Sequence, residues 1–155
     1  MTDKISSNFS RTFQTKLVLP QDTNHMGSLF GGVVLAHIDE IAGICAMRHS
    51  KSVVVTASID TVNFVSSAKV GDILFLEASI ISTGRTSMEV YVKVETENHE
   101  NGQRTLTTNA ITTMVAIDEN KSPKPVPGVI PETEEEKRLF NDAEKRKKRR
   151  LSINE

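Results

Sequence analysis

The sequence has one cysteine, few aromatic residues and almost no net charge. A single cysteine, Cys45, cannot form an internal disulfide or a cysteine-rich metal site, and its apolar surroundings indicate a packing role. The formal net charge of −1 gives no indication of a polyanionic partner, so nucleic-acid binding is not expected. With 155 residues, of which 37% are hydrophobic, the chain can build one sizeable core but not two.

Long apolar runs are also absent from the sequence. No stretch approaches the ~20 apolar residues that a membrane span needs, and residues 1–16 have no apolar segment of the kind that a signal peptide requires. We therefore expect no membrane insertion and a cytoplasmic location. The histidines lack the spacing of metal ligands, so no metal site is predicted.

Residues 20–49 contain the most informative pattern. A polar loop with Asn24 leads through Gly31 and Gly32 into an apolar, helical stretch with Asp39 near its middle. At about 100° per residue, Asp39 shares one narrow sector with small side chains, while larger apolar side chains lie opposite. The small residues are Gly32, Ala36, Gly43 and Ala46, and the residues opposite are Val34, Ile38, Ile41 and Cys45.

Such a helix is apolar over most of its circumference, and helices of this kind are usually buried. We therefore expect Asp39 to lie in a narrow crevice, away from bulk water, where it can act chemically on a slender ligand. Alternatively, Asp39 is a core acid that caps a loop or pairs with a lysine. The residue pattern by itself leaves both interpretations open.

Hydrophobic alternation predicts five strands around this helix. One covers about residues 13–19, and a second begins at Val53, where a shift of the apolar phase after Asp60 indicates a bulge. Residues 73–83 predict a buried strand and residues 88–95 a half-exposed one. Asn101-Gly102 is a hairpin signal before a strand over about residues 105–117. The chain is therefore predicted to be α+β, with its last three strands in an antiparallel meander.

The C-terminal part has a different composition. Residues 121–131 are rich in proline and predict an extended linker between a domain at 1–120 and a charged helix and tail at 132–155. Thr133 and Glu136 form the capping-box pattern at the start of that helix. The basic run 145–150 is interpreted as a solvated helix end, with contact to a phosphate as the alternative.

Several residues of the loop, the helix and two later segments form a pattern that resembles a known family. They are Pro20, Asp22, Asn24, Gly27, Gly31, Gly32, Asp39 and Gly43, then Asp60 to Phe64 and Gly84 to Ser87. This pattern resembles that of the hotdog-fold acyl-CoA thioesterases, in particular the bacterial and brain-type cytosolic acyl-CoA hydrolases. The resemblance covers about residues 10–118.

The resemblance implies a five-stranded antiparallel sheet wrapped around one long central helix, here with a charged C-terminal helix in addition. It also implies dimers that pair their sheets edge to edge, often assembled as three dimers into a hexamer, with active sites between subunits. Asp39 would be the catalytic carboxylate, and the partner subunit's Asn24 its companion. Because both residues are present, a symmetric homodimer with two intact sites is expected.

Thioester hydrolysis requires a base or nucleophile and donors for the oxyanion at such a site. The thiolate leaving group, with a pKa near ~8.5, needs little acid assistance. Asp39 can activate water or attack directly to give an anhydride, and both routes stay open. The amides of Gly31 and Gly32 can stabilise the oxyanion, although ~10 Å of helix separates Gly32 from Asp39. Asn24 can orient the water or the thioester, but it is equally typical of a turn.

To bind coenzyme A, the protein would need an exposed strand edge that contacts the pantetheine and cationic side chains that contact the phosphates. Val62, Asn63 and Phe64 follow the predicted bulge and are candidates for the pantetheine. The turn formed by Gly84, Arg85, Thr86 and Ser87 is the candidate for the phosphates. The local sequence explains Arg85 equally well as an ordinary charged residue of a hairpin turn.

The leading functional prediction is an enzyme that hydrolyses fatty acyl-CoA to fatty acid and CoA without a cofactor. The alternative is a non-catalytic hotdog domain that binds acyl-CoA as a sensor. Asp39 favours the enzyme, because a sensor gains nothing from a carboxylate that faces the thioester.

Overall fold

The computed structural model describes residues 3–153; residues 1, 2, 154 and 155, at the ends of the predicted domain and tail, lie outside this range. The strands are β1 (Lys4–Ser6), β2 (Thr12–Leu17), β3 (Val53–Phe64), β4 (Ile73–Thr83), β5 (Ser87–Glu97), β6 (Arg104–Ile117) and β7 (Gly128–Ile130). The helices are α1 (Ser7–Ser10), α2 (Gly31–Ser50), α3 (Glu134–Asn141) and α4 (Ala143–Ile153), with a 3₁₀ turn at Pro20–Asp22.

The main sheet has five antiparallel strands in the order β2-β4-β5-β6-β3. Its inner face packs against one side of α2, where Val34, Ile38, Ile41 and Cys45 are buried. The predicted α+β class, the five strands around a long helix and the meander of β4, β5 and β6 are confirmed. None of the helices within residues 3–153 is long and apolar enough to cross a membrane.

The predicted bulge after Asp60 is present in β3. Pairing between β3 and β6 loses register between Asp60 and Asn63, and Thr61 has a positive φ of 49°. A residue with a side chain rarely adopts this left-handed conformation, so the chain is held there by its neighbours. A further register shift, between Thr56 and Ser58, has no counterpart in the sequence prediction.

The terminal segments contain structure that the sequence did not predict. β1 pairs in parallel with β7, so the proline-rich segment 121–131 is extended as expected but ends in a strand. The short helix α1 also precedes the first predicted strand. Strands of three residues have too few positions to show a hydrophobic period, and this is why they were missed.

The prediction of a solvated helix end at 145–150 is wrong for Arg146, which is buried, and for Arg150, which is half-buried, whereas the other four residues are exposed. The charged segment forms two helices, α3 and α4, and Arg146 of α4 is only 7% exposed. Arg146 pairs with Glu89, which is 4% exposed although the alternation of β5 predicted a solvent-facing side chain. Successive residues of a strand point to opposite faces, and Val90 lies in the core, so Glu89 lies on the outer face of the sheet. Because its partner Arg146 belongs to α4, this helix covers the outer face.

Half of the capping box at α3 forms. The Thr133 side chain accepts a hydrogen bond from the amide of Glu136, as predicted. The Glu136 carboxylate instead accepts hydrogen bonds from Ser7 and Arg11. Burial alone would raise the pKa of Glu136, but these hydrogen bonds hold it below its usual value. The acid therefore ties α3 to the N-terminal segment.

Candidate active site

Asp39 lies near the middle of α2, at the margin of the side that packs on the sheet, where its carboxylate reaches Thr56 of β3. Its side chain is exposed in the single chain, as are Gly32 and Ala36 of the same helical sector. The expectation that Asp39 lies away from bulk water is therefore wrong for one chain. The predicted crevice of small residues is not intact either, because Ala46, which the helical projection placed in the same sector, is buried in the core. No lysine or arginine within residues 3–153 lies at ion-pair distance from Asp39, which removes the interpretation as a paired core acid.

Thr56 of β3 orients the Asp39 carboxylate. The Thr56 hydroxyl donates a hydrogen bond of 2.7 Å to Oδ1 of Asp39, and in the part of the chain that the structure describes the other oxygen, Oδ2, has no donor. One oxygen is thus fixed while the other can receive a proton from water. The hydrophobic pattern of β3 does not reveal Thr56, because Thr56 lies between two of its apolar positions, Val55 and Ala57.

Asn24 lies in the loop before α2 and forms a local turn. Its side-chain oxygen accepts hydrogen bonds from the amides of Met26 (2.9 Å) and Ser28 (3.2 Å), an arrangement typical of asparagine turns. This oxygen is therefore occupied by the loop itself. The side-chain nitrogen has no acceptor among the described residues and is the part of Asn24 that is available to a ligand.

The N-terminus of α2 presents two free backbone donors. The amides of Val33 and Val34 donate to the Phe30 carbonyl, whereas those of Gly31 and Gly32 have no acceptor within residues 3–153. A Cβ added to Gly32 would lie 2.7 Å from the Phe30 ring, so a larger residue would displace that ring. The two amides lie at the positive end of the helix dipole and suit a negatively charged oxygen.

The single chain brings the predicted residues into separate groups. Asn24, Gly31 and Phe64 line one open groove of about 460 Å³. The turn from Gly84 to Ser87 lies elsewhere and borders a second cavity together with α4. Neither space includes Asp39. Neither of these two cavities therefore contains the whole predicted site.

The turn between β4 and β5 has the geometry of a tight hairpin. The Gly84 amide donates to the Ser87 carbonyl at 2.9 Å, and a Cβ on Gly84 would lie 2.7 Å from the Ser87 hydroxyl. The Arg85 side chain is exposed and has no acidic partner in the part of the chain that the structure describes. An exposed, unpaired guanidinium is available to an anion.

Cys45 and His49 lie on the buried side of α2. Burial raises the pKa of the Cys45 thiol to about 12, so it stays protonated near neutral pH and packs as predicted. Burial also lowers the pKa of His49, whose ring nitrogen Nε2 hydrogen-bonds the Pro127 carbonyl. Both side chains are buried, whereas Asp39 is exposed.

Residues 26–103 match the thioesterase superfamily. The chain is 44% identical to an uncharacterised acyl-CoA thioester hydrolase of Bacillus subtilis, over 88% of this chain and 80% of that protein. It is 36% identical to the cytosolic acyl coenzyme A thioester hydrolase of Mus musculus, over 89% of this chain but only 37% of the longer mouse protein.

Solved structures of the same kind superpose closely. An apo-hexameric acyl-CoA thioesterase has a TM-score of 0.95 and 58% identity, covering 98% of this chain and 97% of that one. The acyl-CoA hydrolase of Staphylococcus aureus, solved with butyryl coenzyme A, coenzyme A and coenzyme A disulfide, has a TM-score of 0.92 and 41% identity, covering 97% and 92%. Alanine variants of an aspartate, an asparagine and a threonine of that hydrolase have also been solved.

The long helix inside a five-stranded antiparallel sheet, with an exposed acid on that helix, is the hotdog fold of a thioesterase. The chain belongs to the thioesterase superfamily, in the group of hotdog-fold acyl-CoA thioesterases.

Proposed function

We propose that the enzyme hydrolyses fatty acyl-CoA to a fatty acid and CoA, with Asp39 as the catalytic carboxylate, Thr56 as its positioning residue and the partner subunit's Asn24 as its companion. The observation that carries the proposal is the 2.7 Å hydrogen bond from Thr56 to Asp39. The asparagine, aspartate and threonine replaced in the S. aureus variants follow one another with the same spacing as Asn24, Asp39 and Thr56.

The reaction follows from the residues that are present. Asp39 takes a proton from water as the water oxygen attacks the thioester carbonyl, or it attacks the carbonyl itself and water then cleaves the anhydride. Backbone amides at Gly31 and Gly32 stabilise the negative oxygen of the tetrahedral intermediate. The intermediate collapses and expels CoA as a thiolate, which needs little acid assistance. No cofactor is required for these steps.

A second subunit completes the site in this proposal. Seven helical residues, about 10 Å, separate Gly32 from Asp39, so one chain's donors do not reach its own acid. Thr56, the hydrogen-bond partner of Asp39, lies on β3, which is an edge strand of the sheet. A partner that pairs with β3 would cover Asp39 and bring its own loop, with Asn24, toward it.

CoA binding extends the site to two surface segments. Val62 lies where the pairing of β3 with β6 is interrupted, and Asn63 and Phe64 follow it on this edge strand. We assign the three residues to the pantetheine. Gly84, Arg85, Thr86 and Ser87 form the turn with the unpaired guanidinium and are assigned to the phosphates. The S. aureus hydrolase binds CoA, which supports a CoA subsite in this fold.

The decisive experiment measures thiol release from acyl-CoA with a thiol reagent. Asp39→Asn keeps the size of the side chain but removes the base, so we expect turnover to fall by a factor of about 10³ or more. Glu40→Gln, at an exposed neighbouring acid, is the matched control and should keep its activity. Full turnover by Asp39→Asn would contradict the assignment.

Mixing two inactive variants tests the shared site. Asn24→Ala and Asp39→Asn are each expected to be inactive as homodimers. After subunit exchange, a heterodimer has one site with both residues intact, so up to half of the heterodimer's sites should recover. Exchange demonstrated by mass spectrometry without any recovered activity would place both residues in one chain.

The same assay separates the enzyme from an acyl-CoA sensor. A sensor would bind acyl-CoA reversibly, without cleaving it, and would release no thiol. We expect hydrolysis, because Asp39 is exposed and its Oδ2 is unpaired among the described residues, so it can accept a proton from water.

We further propose a hexamer of three dimers in the cytoplasm. The support is that one close structural relative is a hexameric acyl-CoA thioesterase and that the mouse relative is named cytosolic. Analytical ultracentrifugation at several protein concentrations tests the assembly, and a stable dimer at all of them would contradict it.

A further inference from the structure

Helix α4 is attached to the sheet by a buried cluster of charged side chains. Glu89 on β5 accepts hydrogen bonds from Arg146 at 3.0 and 2.8 Å, from Arg150 at 2.7 Å and from Ser82. Burial alone would raise the pKa of Glu89, but the hydrogen bonds from Arg146 and Ser82 hold it below its usual value. The acid is therefore charged and has two arginine partners.

Asp60 adds a second negative charge to this cluster. Arg146 alone neutralises Glu89, so Arg150 would bring an excess positive charge into a largely buried place, and such a charge is costly. Asp60 supplies the second negative charge: its carboxylate lies 3.9 Å from Arg150 and accepts a hydrogen bond from Ser58. Arg150 thus connects two acids on two different strands.

Asp60 is the residue at which the bulge of β3 begins. Thr61, directly after it, has the positive φ of 49°, and pairing with β6 resumes only at Asn63. The Asn63 side chain then donates to Asn109 at 2.8 Å. The bulge is therefore held at its start by Asp60 and at its end by Asn63, and it carries the candidate pantetheine segment.

Arg150 also borders the candidate phosphate turn. A cavity of about 160 Å³ is lined by Gly84 and Ser87 of that turn and by Lys147 and Arg150 of α4. One side chain near the end of α4 therefore lies beside both segments that are assigned to CoA.

We propose that Arg150 is a positioning residue for CoA: by joining Glu89 to Asp60, it holds the bulge at 61–64 and the turn at 84–87 in the arrangement that binds the coenzyme. This inference rests on the proposed function for its ligand, but the joining of the two segments is a property of the fold.

The first test measures amide hydrogen exchange and needs no activity. Arg150→Gln should speed exchange at residues 61–65 and 84–87, whereas Arg149→Gln, an exposed arginine of the same helix, should not. Asp60→Asn removes only the second acid and leaves Glu89 with both arginines, so it should speed exchange at 61–65 in a chain whose α4 stays protected. Unchanged exchange, or an even rise over the whole sheet, would overturn the proposal.

The second test measures the Kd of CoA by calorimetry together with the KM and kcat of hydrolysis. Arg150→Gln and Asp60→Asn should weaken CoA binding and raise KM severalfold while kcat stays near wild type. Lys147→Gln removes a charge from the same cavity without touching the cluster and should have a smaller effect. An equal effect of Lys147→Gln would mean that cavity charge, not position, binds CoA. Wild type that binds CoA but releases no thiol would contradict the proposed hydrolysis and leave the Kd comparison as the test of Arg150.

Discussion

In the proposed mechanism, the hydrogen bond from Thr56 to Asp39 should have a measurable effect on the rate. Thr56→Val keeps the shape of the side chain but removes the donor. Hydrogen bonds to charged groups are worth about 1.5–3 kcal/mol, so kcat should fall by about 10- to 150-fold if the bond fixes the carboxylate in the transition state. Steady-state kinetics with one acyl-CoA should show a much smaller change in KM.

Thr56→Ser is the control for this prediction. Serine keeps the hydroxyl and loses only a methyl group, so most of the activity should return. If Thr56→Ser were as slow as Thr56→Val, the methyl contact with the helix, and not the hydrogen bond, would be the important interaction.

Sequence patterns draw attention to some single residues. Cys45 packs in the core, as its apolar surroundings predicted, whereas the catalytic roles of Asp39, from the helix pattern, and of Asn24, from the resemblance, stay predictions. These three residues were identified from the sequence. Thr56 and Glu89 were not, because each acquires its role from a residue far away in the chain: Asp39 for Thr56, and Arg146 for Glu89. A strand's alternation does not report what lies across its outer face.

The contact between α4 and β5 should make the free energy of unfolding depend on pH. The pKa of Glu89 in the folded chain lies below its ordinary value of 4.5. A depressed carboxyl pKa stabilises the fold above the unfolded pKa, and this stabilisation is lost as the pH falls through the folded pKa. The free energy of unfolding from urea titrations should therefore fall below about pH 4.5.

Glu89→Gln isolates this contribution. At neutral pH it leaves Arg146 and Arg150 without their charge partner and should cost about 3 kcal/mol. The difference from wild type should shrink as the pH falls, because wild-type Glu89 then becomes protonated as well. Glu119→Gln, at an exposed acid in a turn, should show almost no difference at any pH. A constant difference for Glu89→Gln would contradict the assigned pKa direction.

Elements with a clear period were predicted, and elements held by distant partners were not. The helix α2, the meander and the bulge of β3 follow from 3.6-residue and two-residue patterns. The pairing of β1 with β7 joins residues 4–6 to residues 128–130, a contact that no local pattern contains. The packing of α4 similarly depends on Glu89, which its own basic sequence does not reveal.

Surfaces left uncovered in one chain indicate how the whole molecule works. The sheet wraps one side of α2, and Asp39, at the margin of that side, is exposed. The groove at Asn24 and Gly31 is also open, and it does not include Asp39. The sequence predicted a narrow crevice for Asp39, because a helical projection does not show which positions of a helix the rest of the same chain covers.

The edge strand β3 is the best candidate for the surface that joins two chains. It has 12 residues, against six in β2 at the other edge, and its Val53 and Val55 are 64% and 46% exposed. Long, apolar edge strands readily pair with another strand, and lysine on such an edge prevents pairing. Val55→Lys should therefore lower the mass of the assembly in light scattering and abolish hydrolysis, because in the proposed site Asp39 would lose the partner's Asn24. Val70→Lys, at a similarly exposed valine outside the strands, should change neither. A Val55→Lys chain that is monomeric and still fully active would show that one chain contains a complete site.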